Sequence, residues 1–451
     1  MDHITIAPDW NSEQQHFLAW GTSLCWWANV IGRWHDRRAV EAVCRLLFSE
    51  NEGLGINAVR YNLGAGEFPL NRNHLRIGAA MPCIAHPDGS WDVNADDAQQ
   101  SILKQAIGYG VSFVEVFLNS PPAWMLKSNS TAGAVDGLCN LDESKIDALA
   151  DYLVTGAEKI SQIAHKQVDS IAPFNEPLSF WWKADNDQEG CHFDVAQQCQ
   201  LIERIHHRLS LRNLNILISA PECWSTYETI YACNHYSVSA LNYIGQINTH
   251  TYFSDARSRR ELFALAKRLQ KPLWMSEITC GGKRNHSHND MSSALELCEN
   301  ITVHLNEMGA VGWVYWQAVE NELLQHNHGL IHAHFEGPET YDLTKQYYAF
   351  AQYSKFIRPG YIILQSDHNN ILLAKSPETT KLVAVCFNPD PESDVSLDFS
   401  LPKPFVSDKV QIYQTTSDSN LAFIHTDDID AFILPAYSVT TLIFESPQQG
   451  E

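Results

Sequence analysis

The sequence predicts an α/β fold, a closed (β/α)₈ barrel with an appended all-β sandwich domain. Eight short apolar runs alternate with helical patterns between about residues 17 and 355, and closely spaced alternating strands follow residue 360. The chain has 451 residues, which is too long for one small core. Strands that alternate with helices form a parallel sheet, and eight such units over this length fit a closed barrel with long loops.

The eight runs are rich in Val, Ile, Phe, Trp and Tyr, and several are apolar at nearly every position. This composition is typical of strands that are buried on both faces. The runs span residues 17–22, 56–62, 111–117, 170–177, 215–222, 246–252, 272–278 and 311–317. A doubly wound open sheet is the alternative, and the absence of a GxGxxG motif after the first run weakens it.

Amphipathic helices are predicted between the runs. Apolar residues fall on one helical face within 38–49 and within 145–165. A third helix is expected over 98–107, where Asp96-Asp97 is the start signal and Gly108 with Gly110 is the stop signal.

The pattern changes after Arg358-Pro359-Gly360 to shorter alternating runs separated by Asp, Ser, Asn and Pro, which is typical of a β-sandwich. The opening residues 4–8 are expected to add a strand to it. We therefore predict a catalytic barrel over 15–358 and a sandwich domain built from 1–14 plus 359–451.

The composition excludes several classes of partner. A net charge of −22 and a pI of about 5.3 disfavour nucleic acid and anionic membranes.

Eleven cysteines without CxxC spacing predict reduced thiols and no zinc site. No secretion signal or membrane-spanning run is visible, so we expect a cytoplasmic location, unless a leader was removed, and a monomer without cofactors.

Two strand ends carry glutamates, and active sites of parallel barrels lie at the carboxyl ends of the strands. Glu176 follows Asn175 at the end of the fourth run, and Glu277 ends the seventh. One glutamate alone is compatible with a salt bridge or a helix cap, whereas the two together favour a glycosidase pair. Glu222 is the second choice for the second carboxylate, and Glu115, in mid-strand, is expected to be a buried partner of a cation such as Arg60.

Aromatic and polar side chains crowd the same strand ends. Sugars pack their CH faces on aromatic rings and hydrogen-bond to amides, so these residues predict substrate contacts, although a tryptophan is often part of a core. Tyr252 is also expected to hydrogen-bond the nucleophile. The predicted substrate-binding residues are Trp27, Arg60, Asn62, Asn119, Trp124, Asn175, Trp181, Trp182, Trp224, His250, Tyr252 and Trp316.

A metal site is the alternative reading of a histidine cluster after the eighth run. The cluster comprises His326, His328, His332 and His334, and it lies close to Glu320 and Glu322. Gly329 interrupts the cluster and no HExxH motif is present, so we expect a polar substrate-facing loop and no metal.

Several segments resemble glycoside hydrolase family 30. They are Ala19–Ala28, Arg60–Gly64, Asn119–Met125, Phe174–Pro177, Trp274–Glu277 and Tyr353–Gly360, which together span nearly the whole chain. The resemblance implies a barrel fused to a β-sandwich and a retaining mechanism, with Glu176 as acid/base and Glu277 as nucleophile. Trp181-Trp182-Lys183, residues 188–193 and residues 26–29 resemble the β-1,6-galactanase branch of the family.

We therefore expect a hydrolase of β-1,6-linked galactan or galacto-oligosaccharides, such as arabinogalactan side chains. Endo and exo action are both open, because secreted members meet polymer whereas a cytoplasmic one would trim imported oligosaccharides. The alternatives are another family 30 exo-β-glycosidase (a glucosidase, xylosidase or fucosidase) acting on short oligosaccharides, and a carbohydrate-binding barrel without turnover.

Overall fold

Two short strands precede the barrel, β1 (Asp2–Ile6) and β2 (Glu13–His16). A computed structural model describes residues 2–9, 11–66, 75–281, 290–321, 328–401, 405, 410–424 and 431–446 of the chain. Both strands belong to sheets that the C-terminal part of the chain completes, so the N-terminus does contribute to the sandwich as predicted.

The next eight strands close into a parallel barrel, which confirms the predicted fold class. Each strand pairs with its neighbour in sequence, and the last pairs with the first. Every strand overlaps its predicted run. The strands are β3 (Ala19–Ser23), β4 (Ala58–Asn62), β5 (Phe113–Phe117), β6 (Ser170–Ala172), β7 (Leu217–Ser225), β8 (Gln246–Phe253), β9 (Leu273–Ile278) and β10 (Gly312–Gln317).

Helices connect and flank the barrel strands. They are α1 (Trp27–Ile31), α2 (Arg37–Phe48), α3 (Asp97–Gly108), α4 (Ile146–Ala164), α5 (Val195–Leu211), α6 (Thr226–His235), α7 (Val238–Tyr243), α8 (Ala256–Leu269), α9 (Met291–Asn306) and α10 (Lys345–Ser354). Short 3₁₀ turns span Val93–Asp96, Ala123–Met125 and Glu143–Lys145. Among the helices of the described residues, none has the length and apolar character needed to cross a membrane.

The three predicted helices are confirmed as α2, α3 and α4, but the start signal of α3 acts differently than expected. Asp96 occupies the N-cap position without a side-chain capping bond. Its buried carboxylate instead accepts hydrogen bonds from the Tyr61 hydroxyl and from Gln99 Nε2. Burial raises the pKa of Asp96 to about 7 despite these donors. Asp96 therefore ties the helix to strand β4.

A small sheet follows the barrel and comprises β11 (Val319–Asn321), β12 (Ile331–Ala333) and β13 (Tyr341–Leu343). The remaining strands build the sandwich: β14 (Ile362–Leu364), β15 (Ile371–Lys375), β16 (Lys381–Asn388), β17 (Val395–Phe399), β18 (Val410–Thr415), β19 (Ala422–Ile424), β20 (Ala431–Leu434) and β21 (Ser438–Glu445). The seven-stranded sheet has the order β19-β18-β21-β16-β15-β14-β2, and the three-stranded sheet the order β1-β17-β20.

The seven-stranded sheet packs on both faces. Along β16, Val383 and Val385 belong to the core shared with the barrel, whereas Leu382, Ala384 and Cys386 face the three-stranded sheet. This alternation is the period of two expected of a strand. Strand β2 crosses the expected boundary at residue 15, and the division into 15–358 and the two flanking segments stays a prediction.

The barrel interior is layered, because alternate residues of each strand point inward. Near the amino ends of the strands, Trp274 stacks on Phe113 with ring centroids 4.7 Å apart, beside Ala58 and Val314. Two residues further along β4, Arg60 points into the barrel interior, as Ala58 does in the apolar layer. Arg60 and the carboxylates around it form a second, charged layer, which lies toward the carboxyl ends, where the connecting loops form a cavity.

Candidate active site

The backbone of Glu176 is fixed from two sides. Glu176 lies four residues after β6 and has a left-handed conformation with φ of 48°. Its N–H donates to the carbonyl of Glu222 at 2.7 Å, and its carbonyl accepts from Trp182 Nε1 at 2.8 Å. A non-glycine residue in this region is strained unless its surroundings hold it there. These two hydrogen bonds keep the backbone of Glu176 in this conformation, with its carboxyl group beside His250 and Glu277.

Glu277, near the end of β9, is held by donors from two other strands. Arg60 Nη1 donates to its Oε2 at 2.7 Å, and the Tyr252 hydroxyl donates to its Oε1 at 3.2 Å. The predicted contact between Tyr252 and Glu277 is therefore confirmed. One oxygen of Glu277, one oxygen of Glu176 and one ring nitrogen of His250 lie within 4.8 Å of one another.

Arg60 is the cation of a fully buried cluster. Its Nε lies 3.4 Å from Glu115 Oε1, which confirms the predicted partnership, and its Nη2 lies 3.6 Å from Glu222 Oε2. Burial disfavours the guanidinium charge, but Glu222, Glu277 and Glu115 outweigh it and raise the pKa of Arg60. The guanidinium also lies 4.1 Å above the Phe117 ring.

The two inner carboxylates have opposite protonation preferences. Burial and the nearby Glu222 charge raise the pKa of Glu115 to about 7, with Arg60 opposing them. At Glu222 burial also opposes ionisation, but Arg60 and His250 outweigh burial and lower the pKa to about 2. Glu222 is therefore the charged member of this pair at neutral pH.

His250 lies beneath the two candidate catalytic carboxylates and is completely buried. Its Nδ1 is 3.2 Å from Glu176 Oε1, and its Nε2 is 3.0 Å from Glu222 Oε2. Burial opposes the imidazolium form, but Glu277, Glu176 and Glu222 raise the pKa of His250 to about 10. These contacts favour the protonated form of the ring, which faces three carboxyl groups.

Glu176 is suited to donate a proton. Burial raises the pKa of its carboxyl group, the His250 cation opposes this, and the Glu277 charge adds to it. Glu277, by contrast, receives two direct donors from Arg60 and Tyr252. Two adjacent carboxyl groups in such unlike surroundings are what acid and nucleophile require.

The same three groups, Glu176, His250 and Glu277, are the kind of set that binds a divalent metal. A metal needs a lone pair on the imidazole, and both ring nitrogens of His250 face carboxylates. In the doubly protonated ring no lone pair is left. The geometry thus fits a charge-paired histidine better than a metal ligand.

A cavity of about 270 Å³ opens above the carboxylate pair. Trp181 is 42% exposed at its edge and meets Trp224 edge-on at 5.3 Å. The Trp224 ring is nearly parallel to Tyr252, and Trp26 meets Trp316 edge-on at 5.3 Å. Aromatic walls around a polar floor are typical of carbohydrate sites.

The structure brings together some of the predicted substrate-binding residues and not others. Five of them line the cavity: Asn175, Trp181, Trp224, Tyr252 and Trp316. Arg60 and His250 lie beneath it and bind the carboxylates. Asn62 and Asn119 are buried and do not line it.

Three predicted tryptophans lie elsewhere. Trp27 is the first residue of α1, is fully buried, and donates from Nε1 to the Ser23 carbonyl at 2.9 Å. Trp182 is fully buried and packs so closely on Gly190 that no side chain would fit there. Trp124 is half-buried and lines a separate cavity of about 350 Å³. None of the three lines the cavity above the carboxylate pair, and their direct contact with substrate stays a prediction.

Six further residues line the cavity: Trp26, Arg76, Gln188, Thr279, Glu320 and His328. Glu320 and His328 belong to the segment after the eighth run that was expected to face substrate, whereas the other four are absent from the predicted substrate-binding set. Trp26 is adjacent to the chosen Trp27, and a helix start at residue 27 was the signal that separates them. Thr279 lies two residues after Glu277, so strand alternation was its signal. Arg76 lies 4.8 Å above the Trp26 ring, in a loop without periodicity.

The histidine cluster after β10 does not form a metal site within the described part of the chain. His328, His332 and His334 belong to no group of three or more metal ligands there. His326 and Glu322 lie outside the described residues. Glu320 lies in the cavity wall instead, where burial raises its pKa to about 7.

Comparison with known proteins agrees with this geometry. Residues 3–321 match the family model described as O-glycosyl hydrolase family 30. The chain belongs to that family. This O-glycosyl hydrolase therefore acts on carbohydrate, and its closed barrel with additional β-sheets is the fold of a family 30 enzyme.

Three proteins illustrate what the chain is similar to. It is 29% identical to an endo-β-1,6-galactanase of Hypocrea rufa over 85% of this chain and 81% of that protein. It is 24% identical to an exo-β-1,6-galactobiohydrolase of Bifidobacterium longum over 71% of this chain but only 27% of that protein. A conserved exported protein from Bacteroides fragilis has the same fold, with a TM-score of 0.86, 22% identity and coverage of 97% and 99% of the two chains.

Proposed function

We propose that this family 30 hydrolase cleaves β-1,6-linked galactan or galacto-oligosaccharides by double displacement. Glu176 is the acid/base and Glu277 the nucleophile. The observation that carries the proposal is the buried pair itself: two carboxyl groups at the floor of an aromatic cavity, one favoured as the acid by burial and the other held by Arg60 and Tyr252.

The reaction proceeds in two balanced steps. Glu277 attacks the anomeric carbon while Glu176 gives its proton to the glycosidic oxygen, so the leaving sugar departs as an alcohol. Glu176, now a carboxylate, takes a proton from water as that water attacks the glycosyl-enzyme, and Glu277 leaves as a carboxylate. The free enzyme returns to its starting state.

The separation of the two groups supports retention of configuration. Retaining enzymes hold their carboxyl groups about 5–5.5 Å apart, and inverting enzymes leave about 6.5–9.5 Å for a water molecule. The nearest oxygens of Glu176 and Glu277 are within 4.8 Å of each other, which leaves no such room.

The substrate class rests on similarity. The Hypocrea rufa protein, named an endo-β-1,6-galactanase, matches over most of its length. The Bifidobacterium longum protein, whose name specifies exo action, matches over a smaller share of its length. Both names specify the same linkage, so the linkage is the better supported part of the proposal, and the mode of action is for experiment.

The catalytic assignment is tested with Glu277→Ala and an activated aryl β-galactoside. Hydrolysis should fall by at least about 10³-fold, because the covalent intermediate cannot form. Azide should restore turnover from the vacated face and give the α-galactosyl azide. The matched control is Glu299→Ala, which removes an exposed carboxylate from α9 and should behave as wild type. Full activity in Glu277→Ala would end the assignment.

The substrate is tested with linear β-1,6-galacto-oligosaccharides of graded length. Release of one fixed short product from a chain end means exo action, and a ladder of products means endo action. NMR of the first products should show the β anomer if configuration is retained. If no length is cleaved while an aryl β-glucoside, β-xyloside or β-fucoside is, the galactan assignment falls and the catalytic pair stands. Calorimetric binding without any turnover would favour a binding protein.

A further inference from the structure

Glu222 is a third carboxylate at this site that the proposed mechanism does not use. It is fully buried and does not line the substrate cavity. Its Oε2 accepts from the Ser276 hydroxyl at 2.6 Å, and its Oε1 accepts from Asn248 Nδ2 at 2.5 Å. Its remaining close partner is His250 Nε2, at 3.0 Å from Oε2. Strands β7, β8 and β9 thus converge on one side chain that does not line the substrate cavity.

The geometry at His250 depends on its protonation. One ring nitrogen faces Glu222 and the other faces Glu176, at 3.0 Å and 3.2 Å. A neutral imidazole has one N–H and one lone pair, so it can serve both contacts only while Glu176 is protonated and donates to that lone pair. Once Glu176 has given up its proton, one of the two contacts would set a lone pair against a carboxylate oxygen, and only the doubly protonated ring donates to both. The arrangement is therefore that of an imidazolium bridge whenever Glu176 is ionised.

Several charged groups face this bridge from different elements. Glu176 approaches from the segment after β6, Glu222 from β7 and Glu277 from β9. Arg60 of β4 lies 3.6 Å from Glu222, and Tyr252 lies two residues from His250 along β8. Glu228 of α6 is a more distant anion.

Of the three carboxyl groups in contact with His250, only Glu222 keeps its charge through the proposed reaction. Glu176 is protonated at the start and ionised after the first step, and Glu277 is ionised at the start and esterified after it. Glu222 is out of reach of the sugar and takes no part in either step. It is the constant counter-ion available to His250.

We propose that Glu222 is a positioning residue for the acid/base: it holds His250 doubly protonated and aimed at Glu176 throughout the catalytic cycle. This rests on the proposed function, in which Glu176 transfers the proton. The backbone of Glu222 also positions Glu176. Glu222 has a left-handed conformation with φ of 61°, and its carbonyl accepts a hydrogen bond from the N–H of Glu176.

Glu222→Gln removes the charge and keeps the shape. His250 then loses its second proton at a lower pH, and Glu176 loses a cation 3.2 Å away. Opposite charges at such range shift a pKa by about 1–3 units, so the basic limb of kcat/KM should move up by about one pH unit. The cation also stabilises the Glu176 carboxylate formed in the first step. We therefore expect kcat to fall about 10-fold or more, with KM within about threefold.

Two variants make the comparison specific. Glu115→Gln removes the other inner carboxylate, which shares Arg60 and Asn248 with Glu222 but hydrogen-bonds Ser219 and Asn248 and not His250 among the described contacts. Its basic limb should lie at the wild-type pH. Glu222→Asp retains the charge and should restore the wild-type limb, which a merely space-filling role would not require.

The ring itself is observed by ¹⁵N NMR of histidine-labelled protein, with His250→Gln used to assign its signal among the 20 histidines. Wild type should show a doubly protonated His250 at pH 7.5, and Glu222→Gln a neutral one. A neutral ring in wild type overturns the proposal even if Glu222→Gln fails to fold. A folded Glu222→Gln with an unchanged basic limb overturns it as well.

A separate variant, Glu176→Ala, tests the proposed function itself. Glu176→Ala should lose hydrolysis and be rescued by azide to the β-galactosyl azide, because azide needs no general base to attack the glycosyl-enzyme. Full hydrolysis by Glu176→Ala would overturn the acid/base assignment. Glu222→Gln should gain nothing from azide, since Glu176 is still present in that variant.

Discussion

The two ends of the barrel interior are built from the same eight strands and differ completely in chemistry. At the amino ends, Trp274, Phe113 and Val314 form a dry apolar layer. At the carboxyl ends, Arg60 and His250 are surrounded by carboxylates with almost no exposed surface. The apolar layer depends on packing, whose free energy hardly varies with pH. The charged layer depends on protonation states, which change with pH.

This difference shows where the fold is stabilised and where it is used. Burying ions costs several kcal/mol each unless every partner is in place, so a charged layer adds little net stability and is vulnerable to the loss of any one member. The packing free energy of the apolar layer offsets this cost, so the barrel remains folded with a charged layer inside it. We expect changes in the first layer to alter stability alone, and changes in the second to alter both stability and turnover.

The largest effect is expected from Arg60→Met, which leaves Glu222 and Glu277 buried without their shared cation. Removing one partner of a buried ion cluster costs about 3–5 kcal/mol. The orientation of Glu277 is lost too, so kcat/KM should fall by about 10³-fold or more. Urea unfolding and kinetics on an aryl galactoside measure the two effects. If the variant lost activity but kept the wild-type free energy of unfolding, the buried carboxylates would not depend on Arg60 for stability.

Trp274→Ala perturbs the opposite end. Truncating a buried tryptophan costs about 3 kcal/mol or more through lost contacts and the cavity left behind. Because the layer contains no titrating group, the loss should be equal at pH 5 and pH 8, with kcat/KM of the folded variant within about threefold of wild type. A pH-dependent loss would mean that the two layers are coupled.

Stability itself should depend on pH through the charged layer. The pKa of His250 is raised from 6.5 to about 10, so its contribution is fully present below pH 6.5 and is lost as the pH rises through 10. The pKa of Glu115 is raised from 4.5 to about 7, so stability also falls between those values. The free energy of unfolding should drop by about 3–4 kcal/mol between pH 7 and pH 10. His250→Gln should flatten that segment of the profile, and an equally steep decline in the variant would contradict this origin.

The smallest effect is expected at the cavity edge. Trp181→Ala removes a stacking surface together with a side-chain contact that lowers the pKa of Glu176. KM should rise about 10-fold, equivalent to about 1.4 kcal/mol, and kcat should change by less than that factor. Trp91→Ala, in the separate cavity beside Trp124, is the control and should leave KM unchanged. Equal effects in both variants would point to a binding surface wider than the cavity.

The sequence predicted the repeating parts of this molecule well. Periodicity located the barrel strands and three helices, and strand alternation correctly placed Glu115 inside beside Arg60. Strand-end position located Glu176 and Glu277 at one cavity. These successes share a cause, which is that regular elements fix side-chain direction by residue number.

Segments without a period resisted prediction. Nothing in the residue types separates the buried Trp182 from the neighbouring exposed Trp181, because their directions depend on Gly190 packing on one indole. Strands β2 and β17 were not predicted, and their residues are of mixed exposure and too few to show alternation. The charged bridge through Glu222 required three strands in register, which only the closed barrel supplies.

The pairing of β1 with β17 has a consequence for how the chain reaches this state. Asp2 lies opposite Val395 in the register, so β1 meets its partner strand only after the whole barrel between them has been synthesised. The barrel strands, each beside its neighbour in sequence, have far more local contacts. We therefore expect folding to begin in the barrel and to end at the three-stranded sheet, with the opening strand waiting unpaired in between.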